Sequence, residues 1–355
     1  MLRSSPLARY LLLAYALLIV DASLYPFGGW RDQGVGALAF LFAPLPRYIT
    51  TFDIAANVLA YAPLGYLALL AQQPLRRPAA AVVLAALAGL SLSFALEAIQ
   101  TFLPSRIASN LDLAANAAGG LLGALAGAAL SKRLTHGAGL HALRHRIFAP
   151  GGGIDLGLVL LGLWLVSQLN PETLLFGNGD LRVLLAGSSG VHYPPDLFIR
   201  AEAAVAGANA VALGLFASCL VVHHQPVRLV IVALIAAALV LRTLAFALLF
   251  SPQEMLLWVT PGALLGVAVG ALLAVVLVAL PRPWRLAFAG LALMSATVLV
   301  NIAPENPYLA ASLAVWRQGH FLNFNGLTRI VSWIWPFAAL GYLMFLAGER
   351  GRSNA

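Results

Sequence analysis

Long apolar runs constrain this chain more than any other feature of its sequence. A helix needs about 20 mostly apolar residues to cross the hydrocarbon core of a membrane. In lipid, all backbone N–H and C=O groups must be hydrogen-bonded within the protein, as they are in a helix. We therefore predict an all-α, polytopic membrane helix bundle with about ten transmembrane helices, of which the fifth and ninth are the shortest. The runs lie at residues 8–25, 52–71, 79–103, 111–130, 154–169, 197–222, 227–250, 256–280, 286–302 and 330–347.

The low content of charged residues supports a lipid environment. Charged residues make up only 10% of the 355 residues, and 61% are hydrophobic, whereas a typical soluble domain is about 25% charged. The net charge of +8 raises the possibility of a nucleic-acid partner, but the basic residues lie in short segments between apolar runs, so we expect none. The single cysteine, Cys219, leaves no disulfide framework and no cysteine-based metal site.

The distribution of basic residues predicts the orientation. The segments on the same side as the N-terminus contain thirteen Arg and Lys residues, and the opposite segments contain six over greater lengths. Because basic residues concentrate on the cytoplasmic side, we predict that both termini are cytoplasmic. The first run, preceded by Arg3 and Arg9, also fits a signal peptide, although no small-residue cleavage site follows it.

The loops and glycines suggest a degenerate internal repeat of four, four and two helices. Long loops follow the first, fifth and ninth runs, and a glycine triplet spaced by four occurs in both the fourth run and the eighth. Chance resemblance between Gly- and Ala-rich helices is the alternative. The predicted division is a four-helix membrane domain at 1–135, a basic cytoplasmic loop at 136–152, a second four-helix unit at 153–283 and a two-helix half unit at 284–355.

A shorter repeat places acidic and amide residues at the start of two helices. Phe52-Asp-Ile-Ala-Ala-Asn57 begins the second run, and Leu111-Asp-Leu-Ala-Ala-Asn116 begins the fourth. In each, Asp and Asn are four residues apart and so share one helix face. Asp near a helix N-terminus is also a common cap, so a purely structural role is the simpler interpretation of this pair.

Glu97 is harder to explain by capping, because it lies inside an apolar run. Ionisable residues at membrane depth usually face a partner or a cavity. We predict that seven polar residues converge at the outer end of the first unit, where Arg106 either pairs with Glu97 or Asp112 as a structural latch or helps to bind a polar ligand. The seven are Asp53, Asn57, Glu97, Gln100, Arg106, Asp112 and Asn116.

These ordered positions, with Pro63-Leu-Gly65 and Gly119, Gly120 and Gly123, resemble the VanZ-like family. The likeness covers roughly residues 10–132. That family is named after a protein associated with teicoplanin resistance, so the resemblance implies a multi-pass protein of the bacterial cytoplasmic (inner) membrane that acts in the cell envelope. It supplies no mechanism, and whether this longer chain confers antibiotic resistance stays open.

Three functions remain open at this stage. The first is a non-enzymatic protein that binds a cell-wall or polysaccharide precursor, or a glycopeptide, at the outer leaflet through the seven residues. The second is a transporter or lipid flippase, although the charges lie away from the membrane midplane where such sites occur. The third is an enzyme acting on lipid-linked phosphates with Mg²⁺. No nucleophile, phosphate-loop or zinc motif occurs, so we assign no catalytic residue, metal ligand or cofactor.

Overall fold

The structure of the chain is a computed structural model. It describes residues 6–45, 50–72, 77–134, 140–182, 194–222, 225–250, 252–303 and 322–353, and the side chains of all of these except 131–134, 140–142, 322–325 and 350–353. Helices account for all regular elements in these ranges, apart from one isolated bridge between Phe148 and Val221. The helices are α1 (Pro6–Leu24), α2 (Thr51–Leu70), α3 (Pro78–Gln100), α4 (Asn110–Leu134), α5 (Leu140–Ile147), α6 (Gly152–Ser167), α7 (Pro195–Ser218), α8 (Val227–Leu249), α9 (Pro261–Leu277), α10 (Arg282–Ile302) and α11 (Leu322–Ser353).

The helices confirm a multi-pass membrane protein. Eight of the described helices are long and apolar enough to cross a membrane, and α6 and α9 are shorter apolar helices. Together they match the ten predicted runs. The eighth run, rather than the ninth, forms the second short helix, because Thr260 caps α9 through the backbone N–H of Ala263 and Pro261 occupies its first turn.

The chain forms two compact units, Met1–His145 and Arg146–Ala355. Their boundary lies within the loop predicted at residues 136–152, of which residues 140–147 form α5. In the second unit, α10 packs against α7 and α11 packs against α6. The separate status of 284–355 stays a prediction.

In the first unit, α2 and α4 are in direct backbone contact. A Cβ added to Gly123 would lie 1.8 Å from the carbonyl oxygen of Ala62, and one added to Gly119 would lie 2.3 Å from that of Val58. Residue numbers increase together along this contact, so the helices run parallel. Glycine is required here because any side chain would separate the two backbones.

The second unit repeats this packing with different residues. Gly262, Gly266 and Gly270 of α9 lie against the backbone of α7, and a Cβ on either of the last two would approach a carbonyl oxygen to 2.5 Å. Again the contacting numbers increase together, so α7 and α9 run parallel. The two glycine triplets identified in the sequence therefore have the same structural role.

A buried irregular segment follows α6. The helix has 16 residues, about 24 Å at 1.5 Å per residue, which is shorter than a hydrocarbon core of about 30 Å. After it, Asn170, Phe176 and Asn178 are each at most 2% exposed. Arg242 of α8 is also buried and donates to the carbonyl oxygens of Asn170 and Thr173. Non-helical backbone at this depth requires such internal partners.

The glycine contact between α2 and α4 leads to a stability prediction. Replacing Gly123 with Ala should lower thermal stability by about 1–3 kcal/mol, because the added methyl group forces the two backbones apart. The measurement is the fraction of monodisperse protein that survives heating in detergent. Gly89→Ala in α3 is the matched control, since its Cβ would meet neighbours at 3.7 Å or more. Equal stability of both variants would contradict the close contact.

Candidate ligand-binding site

A capping hydroxyl precedes each Asp at the starts of α2 and α4. The Thr50 hydroxyl accepts from the backbone N–H of Asp53 at 3.0 Å and donates to its Oδ2 at 2.6 Å. Ser109 has the corresponding position before α4, where its hydroxyl accepts from the Asp112 N–H at 3.3 Å. The caps are therefore the two hydroxyls rather than the Asp residues themselves, and the repeat extends three residues further toward the N-terminus, to Thr50 and Ser109.

The two repeats also meet each other. The side-chain amide of Asn57 donates to Asp112 Oδ1 at 2.9 Å, which joins α2 to α4. Asp112 is close enough to Asp53 and Glu97 for its charge to interact with both. Three carboxylates therefore lie near one another where α2 and α4 begin and α3 ends.

Glu97 forms the buried side of this group. It is 4% exposed, and its Oε2 accepts from the backbone N–H of Ser109 at 2.8 Å. Its charge also interacts with Tyr61, which lies close to Ser93. Ser93 in turn accepts from the Asn116 amide at 2.9 Å, while Asn116 Oδ1 is buried and has no hydrogen-bond partner among the described residues. A polar path thus continues from the carboxylates into the helix bundle.

Arg106 and Gln100 do not belong to the carboxylate group. Arg106 donates to the carbonyl oxygens of Ala22 (3.0 Å) and Tyr25 (2.6 and 3.1 Å), and Gln100 donates to that of Ser23 at 2.9 Å. The predicted latch between Arg106 and Glu97 or Asp112 is therefore wrong. The Arg106 guanidinium instead donates to the carbonyl groups at the C-terminus of α1, which lack partners within the helix. Burial lowers the pKa of Arg106.

Several further polar residues, which the sequence patterns did not indicate, lie near this end of the unit. Tyr61, Ser93 and the two capping hydroxyls carry no signal in an apolar sequence. Asp21 does carry one, because it is an acidic residue within an apolar run. It is 7% exposed, and neither of its carboxylate oxygens has a hydrogen-bond partner in the part of the chain that the structure describes.

The arrangement is acidic. Asp53, Glu97 and Asp112 form no ion pair with a basic residue in the described parts of the chain. Accessibility decreases along the group, because Asp53 is exposed, Asp112 is half-buried and Glu97 is buried. The described residues include no set of three His, Cys, Asp or Glu side chains that holds a metal ion.

The second unit has a different polar group. Glu202 accepts a hydrogen bond from the Thr260 hydroxyl, and its charge interacts with the buried Arg242. In the register of the glycine contacts, Val58 corresponds to Ile199, so Glu202 lies three residues further along its helix and corresponds to Tyr61 rather than to an Asp of the first unit. The carboxylate cluster is a property of the first unit.

Comparison with known protein families gives a match to the first unit. Residues 8–131 match the model of the VanZ/LLP1 family, which confirms the resemblance predicted for the first unit. No curated protein and no solved structure matches the chain. The family match and the carboxylate cluster cover the same helices.

Arg106 provides a test of its structural role. Arg106→Gln should lower thermal stability by about 1–3 kcal/mol, because several charge-assisted hydrogen bonds to α1 are lost together. Survival of monodisperse protein on heating is the measurement, and Arg31→Gln is the control, since Arg31 is exposed and, among the described residues, only its backbone N–H is bonded. If the two variants were equally stable, Arg106 would not hold α1 in place.

Proposed function

We propose that this VanZ-type membrane protein binds the hydroxyl- or amine-bearing head group of a cell-wall or polysaccharide precursor, or a glycopeptide, at the outer leaflet of the bacterial inner membrane. The site consists of Asp53, Glu97 and Asp112 with the amides of Asn57 and Asn116. The observation that carries the proposal is the group of three neighbouring carboxylates without a paired cation in the described residues.

The charge of the site selects the chemistry of the ligand. Carboxylates accept hydrogen bonds from hydroxyl and ammonium groups, and such charge-assisted bonds are among the stronger ones in proteins. A pyrophosphate group would instead be repelled by like charges. The sugar, peptide or amine portion of a precursor is therefore the part that contacts the carboxylates.

The change in burial from Asp53 to Glu97 supports an entry path. A ligand that meets the exposed Asp53 first replaces water there, and its donors then reach the half-buried Asp112. The unpartnered Asn116 Oδ1 is a further acceptor, and buried acceptors of this kind normally have a donor. The site thus offers acceptors at increasing depth to one elongated polar group.

Binding measurements on matched variants test the proposal. Glu97→Gln and Asp112→Asn should each weaken binding about tenfold or more, because each removes a charge that accepts from the ligand. Protein in nanodiscs is titrated with a lipid-linked disaccharide peptide, a lipid-linked neutral sugar and a glycopeptide, and the dissociation constants are compared. Monodisperse elution of each variant shows that it is folded.

Asp32→Asn is the control for the loss of one negative charge. Asp32 is exposed in the loop after α1, and its Oδ1 accepts from Gly34 N–H, which Asn also allows. If the wild-type protein, Glu97→Gln and Asp112→Asn all bound each probe equally well, the proposal would be wrong. Weakening by Asp32→Asn to the same extent would reduce it to a general charge effect.

The orientation of the chain is a separate prediction. Alkaline phosphatase is active only outside the cytoplasm. The reporter should therefore be active when inserted after Gly36 and inactive when fused to the C-terminus. The expectation rests on the excess of basic residues on the side of the termini. The reverse activities would place the carboxylates at the inner leaflet and contradict an external ligand.

A further inference from the structure

The second unit contains a large cavity where several helices begin or end. Its volume is about 1260 Å³, which is ample for a small-molecule ligand. The walls come from the starts of α6, α8 and α10 and the ends of α7, α9 and α11. Residues 221, 222 and 225 before α8 and residues 278–280 between α9 and α10 also line it.

Three arginines line this cavity. Arg228 belongs to the first turn of α8, and Arg282 and Arg285 belong to the first turn of α10. The described residues supply no ion pair to any of the three. Arg285 donates to the carbonyl oxygen of Ser218 at 3.1 Å, and the buried Nε atoms of Arg282 and Arg285 have no hydrogen-bond partner within the described ranges.

The position of these arginines on their helices is unfavourable without an anion. A helix N-terminus has partial positive charge, so acidic residues are preferred there and basic ones are not. The first turns of α8 and α10 contain basic residues and no acidic ones, and no side chain caps either helix. The positive ends of two helices and three guanidinium groups therefore reinforce one another.

The start of α6 shows the opposite arrangement. Its first turn contains Asp155, and the carboxylate oxygens of Glu349 would lie 3.8 Å from a Cβ on Gly153. Acidic residues thus compensate α6, whereas α8 and α10 have no such compensation. Glu349 is also the acidic residue of the cavity wall, so three positive charges face one negative charge.

We propose that this cavity binds a phosphate group. Arginine forks and helix N-termini are the groups that recognise phosphate in proteins, and both occur here together. Two sources present that chemistry at a membrane surface, namely the head group of an anionic phospholipid and a soluble phosphate compound. The site is independent of the carboxylate cluster, because it lies in the other unit and has the opposite charge.

The experiment has one arm for each source and uses the full chain. In the first arm, protein from nanodiscs of equal phosphatidylglycerol and phosphatidylcholine is analysed by native mass spectrometry for retained phosphatidylglycerol. In the second, protein in phosphatidylcholine nanodiscs is titrated with inorganic pyrophosphate by calorimetry. We expect binding in at least one arm, and which arm shows it identifies the source.

Charge variants show whether binding occurs in the cavity. Arg282→Gln and Arg285→Gln should each weaken binding about tenfold, whereas Arg146→Gln, which removes one positive charge from an exposed position outside the cavity wall, should leave it unchanged. Absence of binding in both arms would overturn the proposal. So would equal weakening by all three variants, which would indicate only general attraction of the basic surface.

Glu349→Gln provides a test in the opposite direction. It removes the negative charge of the cavity wall, so binding should become several-fold tighter. A variant that merely disturbed folding would weaken binding instead. Unchanged or weaker binding in monodisperse Glu349→Gln protein would contradict a phosphate close to this wall.

Discussion

The backbone contact between α2 and α4 is the constraint on which the first unit depends. It requires glycine at positions 119 and 123, and it makes two helices that are not consecutive in sequence parallel neighbours. Because each begins with a hydroxyl cap and an Asp, the contact brings the two Asp-Asn pairs together, and Asn57 reaches Asp112. Glu97 joins them from the end of the intervening antiparallel helix. The acidic site is thus a consequence of how closely two backbones approach.

Sequence patterns predicted the parts of this arrangement that depend on local periodicity. The apolar runs predicted the spans, and the spacing of Asp53, Asn57, Asp112 and Asn116 predicted a shared face. Partner choice was less accessible. Arg106 is close in sequence to Glu97 and Asp112, but it bonds to carbonyl groups of α1, about eighty residues earlier. Which end of another helix lacks donors is a property of the three-dimensional packing, and no pattern near Arg106 records it.

The two units use one packing scheme for different chemistry. Glycine triplets on α4 and α9 contact the helix two positions earlier in the bundle, which supports a common arrangement of the two units. The polar residues do not follow that arrangement. The first unit has acidic residues at the helix starts next to the contact. The second unit has Glu202 deeper in α7, and its arginines lie at the starts of α8 and α10. Packing and charge therefore vary independently along the chain.

The buried segment after α6 has a consequence for how the second unit is held together. One guanidinium, that of Arg242, serves the carbonyl groups of Asn170 and Thr173 and lies over the ring of Phe246. Withdrawal of the segment would leave the buried guanidinium with Glu202 as its charge partner but without its carbonyl acceptors, and withdrawal of the helix would leave several carbonyl groups without donors. Neither element gains by moving alone. The hydrogen bonds of Arg242 therefore couple the position of the segment to that of α8.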